Sequence, residues 1–362
     1  MTSAPVIDHS DALNSLAIRL SAAPAIALDT EFMRERTYRA ELCLVQVACA
    51  AEAWCVDPIA LRGLGAFAAV LANPESVKVL HAARQDLEVL ATVAAPLQRV
   101  FDTQVAAALV GFPAQIGYAD LVQRVLGVAL SKGQTRTDWS RRPLSAAQVD
   151  YALDDVRYLL PLREALQQQV NQLGRSGWLD EELRSLRDPA QLSIDPERAW
   201  LRVKSLQGLD AARERLARLL AAWRERRAID RNRPRGWILD DNTLKELVFR
   251  VPRNMEQLVA IETMPEGTAR HSGEELLQLI REANVSDPPP PIARREKADP
   301  AYVALLRKLT EFTQTLAKEI TVAPEVLATR RDIESLARGD SDCALLSGWR
   351  KQVVGERLQA LL

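Results

Sequence analysis

The 362-residue sequence is poor in histidine (His9, His81 and His271), has four cysteines, and carries a formal net charge of only -1. Cys43, Cys49 and Cys55 fall in apolar, strand-like stretches without C-x-x-C spacing or a nearby histidine. That argues against a zinc site and for buried thiols in a reducing compartment. No stretch approaches the ~20 apolar residues that cross a bilayer, and the N-terminus lacks a basic segment followed by an apolar core. A cytoplasmic protein with no membrane association is expected. The phosphate-binding pattern G-x-x-x-x-G-K-[ST] is absent as well, which removes ATP-driven motors. The near-neutral total charge does not announce a nucleic-acid binder.

What is present suits a soluble globular chain, with 48% hydrophobic and 26% charged residues. The length calls for two or three domains rather than one core. Charge is unevenly spread. Between Ala211 and Arg235 lie nine arginines (213, 215, 218, 224, 226, 227, 231, 233 and 235) against Glu214, Glu225 and Asp230. Such a patch can follow a phosphate backbone. The favoured reading is the plainer one, a solvated helix face with ion pairs.

Hydrophobic spacing predicts a short helix over residues 11–20 and strands over 25–28, 42–48, 53–56 and 77–80, the middle ones as an antiparallel meander. Helices are predicted over 83–93, 119–126 and 145–170, and Asp102 is placed as the N-cap of a further helix. A mixed sheet flanked by helices follows. Beyond Asp188-Pro189 the pattern is helical throughout, broken by Asp287-Pro-Pro-Pro-Pro291, since proline cannot continue a helix and stiffens a linker. The expected division is residues 1–188, a helical domain at 193–286, a proline-rich linker at 287–298, and a second, weakly similar helical domain at 299–362.

Three acidic elements carry the candidate chemistry. Asp29 and Glu31 stand two apart at a strand end, so both side chains leave the same face. Paired carboxylates repel and are costly to bury unless a cation neutralises them, and oxygen donors suit Mg²⁺ or Mn²⁺. Tyr151 and Asp155 are four apart in a helix and share a face, whereas Asp154 is rotated about 100° away. Asp86 sits early in a helix after an apolar strand, where an acid also suits the helix dipole. Each element alone is as easily a solvated or packed residue.

Their order is more specific. Asp29-x-Glu31, Asp86 and Tyr151-x-x-x-Asp155 resemble the three exonuclease motifs of the DEDD nuclease superfamily, in its tyrosine-containing DEDDy branch. The surrounding Ala27-Leu-Asp-Thr-Glu-Phe32, Leu80-His-Ala-Ala83, Phe101-Asp-Thr-Gln104 and Thr135-Arg-Thr-Asp-Trp-Ser-Arg-Arg-Pro-Leu144 resemble ribonuclease D. The helical remainder is similar to that family's HRDC domains, so the likeness covers nearly the whole chain. It implies an α/β ribonuclease H-like exonuclease domain followed by two all-α HRDC-type domains. By that resemblance Asp29, Glu31, Asp86 and Asp155 are ligands of two divalent metal ions, with Asp29 bridging. Tyr151 is assigned to orienting the attacking water, because a phenol of pKa ~10 is a poor base at neutral pH. The implied reaction removes nucleotides from RNA 3′ ends, those of precursor tRNA, as nucleoside 5′-monophosphates.

Phe32, Met33 and Trp139 are candidates to stack beside terminal bases, and Lys132, Arg136, Arg141 and Arg142 to contact phosphate. Packing and solubility are the plainer roles for the same residues. His81 is read as a hydrogen-bonded core residue. Gln46, a polar residue inside a strand, must find partners and is a candidate to support the acids. Two rivals share these features: a DNA 3′→5′ exonuclease of proofreading or Werner type, and a catalytically silent RNA-binding scaffold.

Overall fold

The structure, a computed structural model, describes residues 6–50, 52–130, 137–188, 195–204, 206, 209–285 and 299–362. The chain divides into two compact units. One comprises Met1–Met33, Leu42–Leu192 and Asp299–Leu362; the other comprises Arg34–Glu41 and Ser193–Ala298.

The first unit is built on six strands: β1 (Val6–Ile7), β2 (Ala25–Met33), β3 (Glu41–Cys49), β4 (Glu52–Val56), β5 (Val77–Leu80) and β6 (Val100–Asp102), in the order β1-β4-β3-β2-β5-β6. The sheet is mixed, as expected. β2 runs parallel to β5 with Ala25 opposite Val77, and β5 runs parallel to β6. β3 is antiparallel to β4, with Val45 opposite Val56 and Cys49 opposite Glu52. Leu44, Val45, Gln46 and Val47 form an unbroken buried run in β3, the mark of a strand covered on both faces.

Helices α1 (Ser10–Ser21), α2 (Pro58–Leu61), α3 (Phe67–Ala72), α4 (Arg84–Leu90), α5 (Thr103–Leu109), α6 (Tyr118–Leu126), α7 (Ala146–Arg157), α8 (Leu159–Gln172) and α9 (Ser176–Leu186) complete this part. The helix expected over 145–170 is two. Ser145 opens α7 with a capping box to Gln148, and the run breaks at Tyr158. Pro161 explains the break, because its ring lacks an N–H and clashes with the carbonyl four residues back.

Residues 299–362 fold with this unit. Leu309, Leu316, Leu327, Leu345, Trp349 and Val354 join the same buried cluster as the strands and α5–α9. The Trp349 ring stacks on Trp178 of α9 at 4.5 Å and 12°. Arg175, just before α9, donates to the Leu109 carbonyl at 2.6 Å, to that of Thr321 at 3.0 Å and to that of Ile320.

The second unit packs the helix Ala211–Asp230 against Asp241–Arg250 and Glu266–Ala283 around Leu216, Leu220, Leu244, Leu247, Leu276 and Ile280. Its arginine run is mostly paired: Arg213 with Asp210, Arg218 with Glu214, Arg224 with Asp241, Arg226 with Glu197 and Arg227 with Glu275. Glu225, fully buried, accepts a hydrogen bond from the Tyr38 hydroxyl at 2.5 Å. Among the described residues no helix is long and apolar enough to cross a membrane.

Candidate active site

Three elements of the first unit carry the acids. β2 holds Asp29 and Glu31, α4 holds Asp86, and α7 holds Tyr151 and Asp155. Carboxylate oxygens of Asp29, Glu31 and Asp155 all lie within 4.8 Å of one another, although Asp155 is more than a hundred residues from the other two. Asp86 stands beside this trio, where it helps to push up the proton affinity of both Asp29 and Glu31. It is 6% exposed, and the Thr30 hydroxyl donates to its Oδ1 at 2.5 Å.

The electrostatics follow from crowding and burial. The Asp29 pKa is raised well above its ordinary value, by burial first and then by Asp86, Asp155 and Glu31. Glu31 is pushed up to about 8, by burial first and then by Asp155 and Asp86. Asp155 rises to about 7 through burial and the neighbouring Asp154, while hydrogen bonding to Tyr151 draws it back. Asp86 rises to about 6, burial outweighing the Thr30 hydroxyl. Such a set holds protons or a cation, since like charges in a low-dielectric pocket cannot all ionise unaided. Its donors are all oxygen, which fits a hard divalent ion and not a soft one.

Burial and the same carboxylates raise the Tyr151 phenol pKa above its ordinary value, so at neutral pH it is a hydrogen-bond donor. Trp139 backs it, with ring centroids 6.3 Å apart. At 4% exposure Trp139 has no free face for a base, so the structure replaces the expected stacking role with packing behind Tyr151. Arg142 is also corrected. Its guanidinium is committed to Asp57 at 2.5 and 2.8 Å and to the carbonyls of Cys43 and Trp139, each at 2.7 Å, which leaves it no free edge for phosphate. Arg141 is exposed, with Asp138 at 3.2 Å. Phe32 and Met33 are half-buried at the end of β2, Met33 against the Trp139 cluster. Lys132 and Arg136 lie outside the described residues.

His81 is hydrogen-bonded, as expected, but half-buried and not in the core: Nε2 lies 3.0 Å from the Ile116 carbonyl and Nδ1 2.9 Å from the Thr103 hydroxyl. Gln46 departs from expectation. It is fully buried, and its side-chain amide has no partner among the described residues.

Asp102 has more reach than a helix cap. Its carboxylate caps α5 through Gln104 N at 2.8 Å and also accepts from Ala82 N at 3.1 Å and Ala83 N at 2.8 Å. It thereby fixes the turn that leads into α4 and Asp86. The N-cap position was readable in the sequence; the second set of bonds, 19 and 20 residues back, was not. Tyr118 escaped notice too. Its hydroxyl donates to the Asp154 carbonyl at 3.0 Å and accepts from Tyr158 N at 3.2 Å, pinning the end of α7.

Comparison with known proteins joins this geometry to a family. The family model described as 3′-5′ exonuclease matches residues 5–171, and the HRDC domain matches 213–280. The ribonuclease D of Zymomonas mobilis is 39% identical over 99% of this chain and 94% of that protein. The chain belongs to the ribonuclease D family. The ribonuclease D of Sphingobium indicum is 38% identical over 97% of this chain and 92% of its own length. The crystal structure of Escherichia coli RNase D, described as an exoribonuclease involved in structured RNA processing, superimposes with a TM-score of 0.86 at 31% identity, covering 99% of this chain and 98% of that one. The protein is accordingly a hydrolytic 3′→5′ exoribonuclease, with a ribonuclease H-like exonuclease domain on a mixed sheet and an HRDC domain. Divalent metal use goes with the exonuclease family, and the carboxylate trio is suited to it.

Proposed function

We propose that Asp29, Glu31, Asp86 and Asp155 hold two divalent cations, Mg²⁺ or Mn²⁺, beside the last phosphodiester of an RNA 3′ end. The observation that carries this reading is the convergence of Asp29, Glu31 and Asp155 within 4.8 Å. When bound, the ions supply charge neutralisation at the phosphate and acidify the attacking water. Tyr151, held in place by Trp139 behind it and by donating its hydroxyl to Asp155 one turn on, orients that water through its phenol oxygen. Asp102 and Thr30 set the position of Asp86 from either side.

The substrate is the 3′ extension of a precursor tRNA, and the products are nucleoside 5′-monophosphates. Residues 299–362 are a second HRDC-like segment. Free, mostly buried cysteines and the absence of a spanning helix among the described residues support a cytoplasmic setting. A 5′-labelled, 3′-extended tRNA incubated with Mg²⁺ or Mn²⁺ is expected to shorten in single-nucleotide steps toward the mature end. Internal fragments, or a matched DNA strand degraded faster, would count against this reading.

Tyr151→Phe tests the role of the phenol. Turnover is expected to fall on the order of 10²-fold, the cost of a misplaced reactant, while divalent-ion affinity stays near that of the parent. Parallel loss of ion affinity in calorimetric titration would make Tyr151 part of the metal site instead.

A further inference from the structure

Asp155 stands in the last turn of α7, and that turn does not close on itself. A continuing helix would give the Tyr158 N–H to the Asp154 carbonyl four residues back. Tyr158, at φ -107° and ψ 2°, has left the helical range, and its N–H goes to the Tyr118 hydroxyl at 3.2 Å. The same hydroxyl donates to the Asp154 carbonyl at 3.0 Å. One side-chain oxygen thus fills the gap between a donor and an acceptor that would otherwise meet, an insertion of the kind that kinks helices. Asp155 lies between those two residues. We propose that Tyr118 is a positioning residue, whose hydroxyl replaces this rung and so sets where the Asp155 carboxylate stands in the metal site. The proposal rests on the metal-binding reading of the four acids.

The hydroxyl is equipped for the part. Burial raises its pKa above the ordinary value; the bond from Tyr158 N–H draws it back, and the charges of Asp155, Asp29 and Asp154 raise it again. The phenol therefore keeps its proton at neutral pH and donates. Its anchorage is firm as well. Tyr118 opens α6, and the Ile116 carbonyl two residues before it accepts from His81 Nε2 and from Gln104 Nε2, each at 3.0 Å. The Tyr118 and His81 rings lie together, with centroids 5.7 Å apart.

His81 directly precedes Ala82 and Ala83, whose N–H groups are held by the Asp102 carboxylate. A strap of hydrogen bonds therefore runs from the turn that leads into Asp86 to the turn that carries Asp155. Phenylalanine at position 118 would serve packing equally well; only the hydroxyl completes the rung. Without it the Tyr158 N–H and the Asp154 carbonyl lose their partner, and the turn must close directly or open. Either change moves Asp155.

The test is calorimetric titration of the metal-free full chain with Mn²⁺, below the melting temperature of each protein. Tyr118→Phe keeps the ring and removes the rung. Its ion affinity is expected to fall by about 10–100-fold, the range for residues that orient metal ligands. Turnover should fall at low Mn²⁺ and recover as the ion is raised, with KM for RNA near the parent's. A role in packing alone would lower the melting temperature and leave the ion titration in place. Gln104→Leu takes one of two donors from the Ile116 carbonyl; it is expected to give a smaller loss of the same kind and serves where Tyr118→Phe does not fold. Parent ion affinity in a folded Tyr118→Phe, or in Gln104→Leu if only that variant folds, overturns the proposal while the metal site stands. A parent protein that binds no divalent ion overturns the metal-site reading first.

Discussion

Asp29→Asn is expected to lower RNA hydrolysis by at least about 10³-fold, beyond the 10–100-fold typical of residues that merely orient metal ligands, and to raise the melting temperature of the metal-free protein. The two effects have one cause. Asp29 is the carboxylate on which Asp86, Asp155 and Glu31 all press. Removing its charge relieves the others but takes away a ligand oxygen from the centre of the trio. Chelating the parent's divalent ions should give the same loss of activity, with little further loss in the variant. In the metal-free parent the pH dependence has a definite sign. Glu31, Asp155 and Asp86 have folded pKa values of about 8, 7 and 6, all above those of an unfolded chain. The folded state therefore binds more protons, and its stability falls as pH rises from about 4 to 8. Melting curves at pH 6 and pH 8, with chelator and with Mg²⁺, would show this. Parent-like turnover in Asp29→Asn, or metal-free melting indifferent to pH, would end the metal-site assignment.

Two local pairings among the acids were legible in the geometry of single elements, while the set of four was singled out only by the family resemblance. Strand alternation puts Asp29 beside Glu31, and the helical repeat puts Tyr151 beside Asp155, whatever the rest of the fold does. The break between α7 and α8 was missed, because the hydrophobic period ran across Pro161 and suggested one helix. Trp139 and Arg142 misled for another reason. Residue type says what a side chain can touch, while burial decides what it does touch, and Arg142 finds Asp57, 85 positions away. The two extra bonds of Asp102 and the Tyr118 clamp on α7 likewise join residues whose separation leaves no periodic trace.

Residues 299–362 show that limit most clearly, and they carry the other large expected effect. Ending the chain at residue 298 should leave the exonuclease unit unfolded or aggregating, even though every metal ligand is retained. The segment reads as a separate helical domain because its helices repeat every 3.6 residues and a proline linker precedes it. Nothing in that pattern reveals that Trp349 stacks on Trp178, that Glu182 accepts from the Trp349 indole at 2.8 Å and pairs with Arg350 at 2.5 Å, or that Arg175 is 6% exposed among carbonyls of which two belong to this segment. Backbone fit points the same way. Gly111 has φ +101° and a Cβ there would meet Thr321 Cγ2 at 2.7 Å, while Gly348, at φ +57°, lies where a Cβ would overlap the Glu181 carboxylate. Hydrogen bonds to a charged group contribute about 1.5–3 kcal/mol each, and burying a large apolar side chain contributes a similar amount. Losing several at once approaches the roughly 5–15 kcal/mol that holds a folded protein together. Trp349→Ala, a milder change, is expected to cost about 3–5 kcal/mol, readable as a lower denaturant midpoint. If a chain ending at residue 298 melted cooperatively at the parent temperature and kept full turnover, these helices would be an appendage and not part of the exonuclease core.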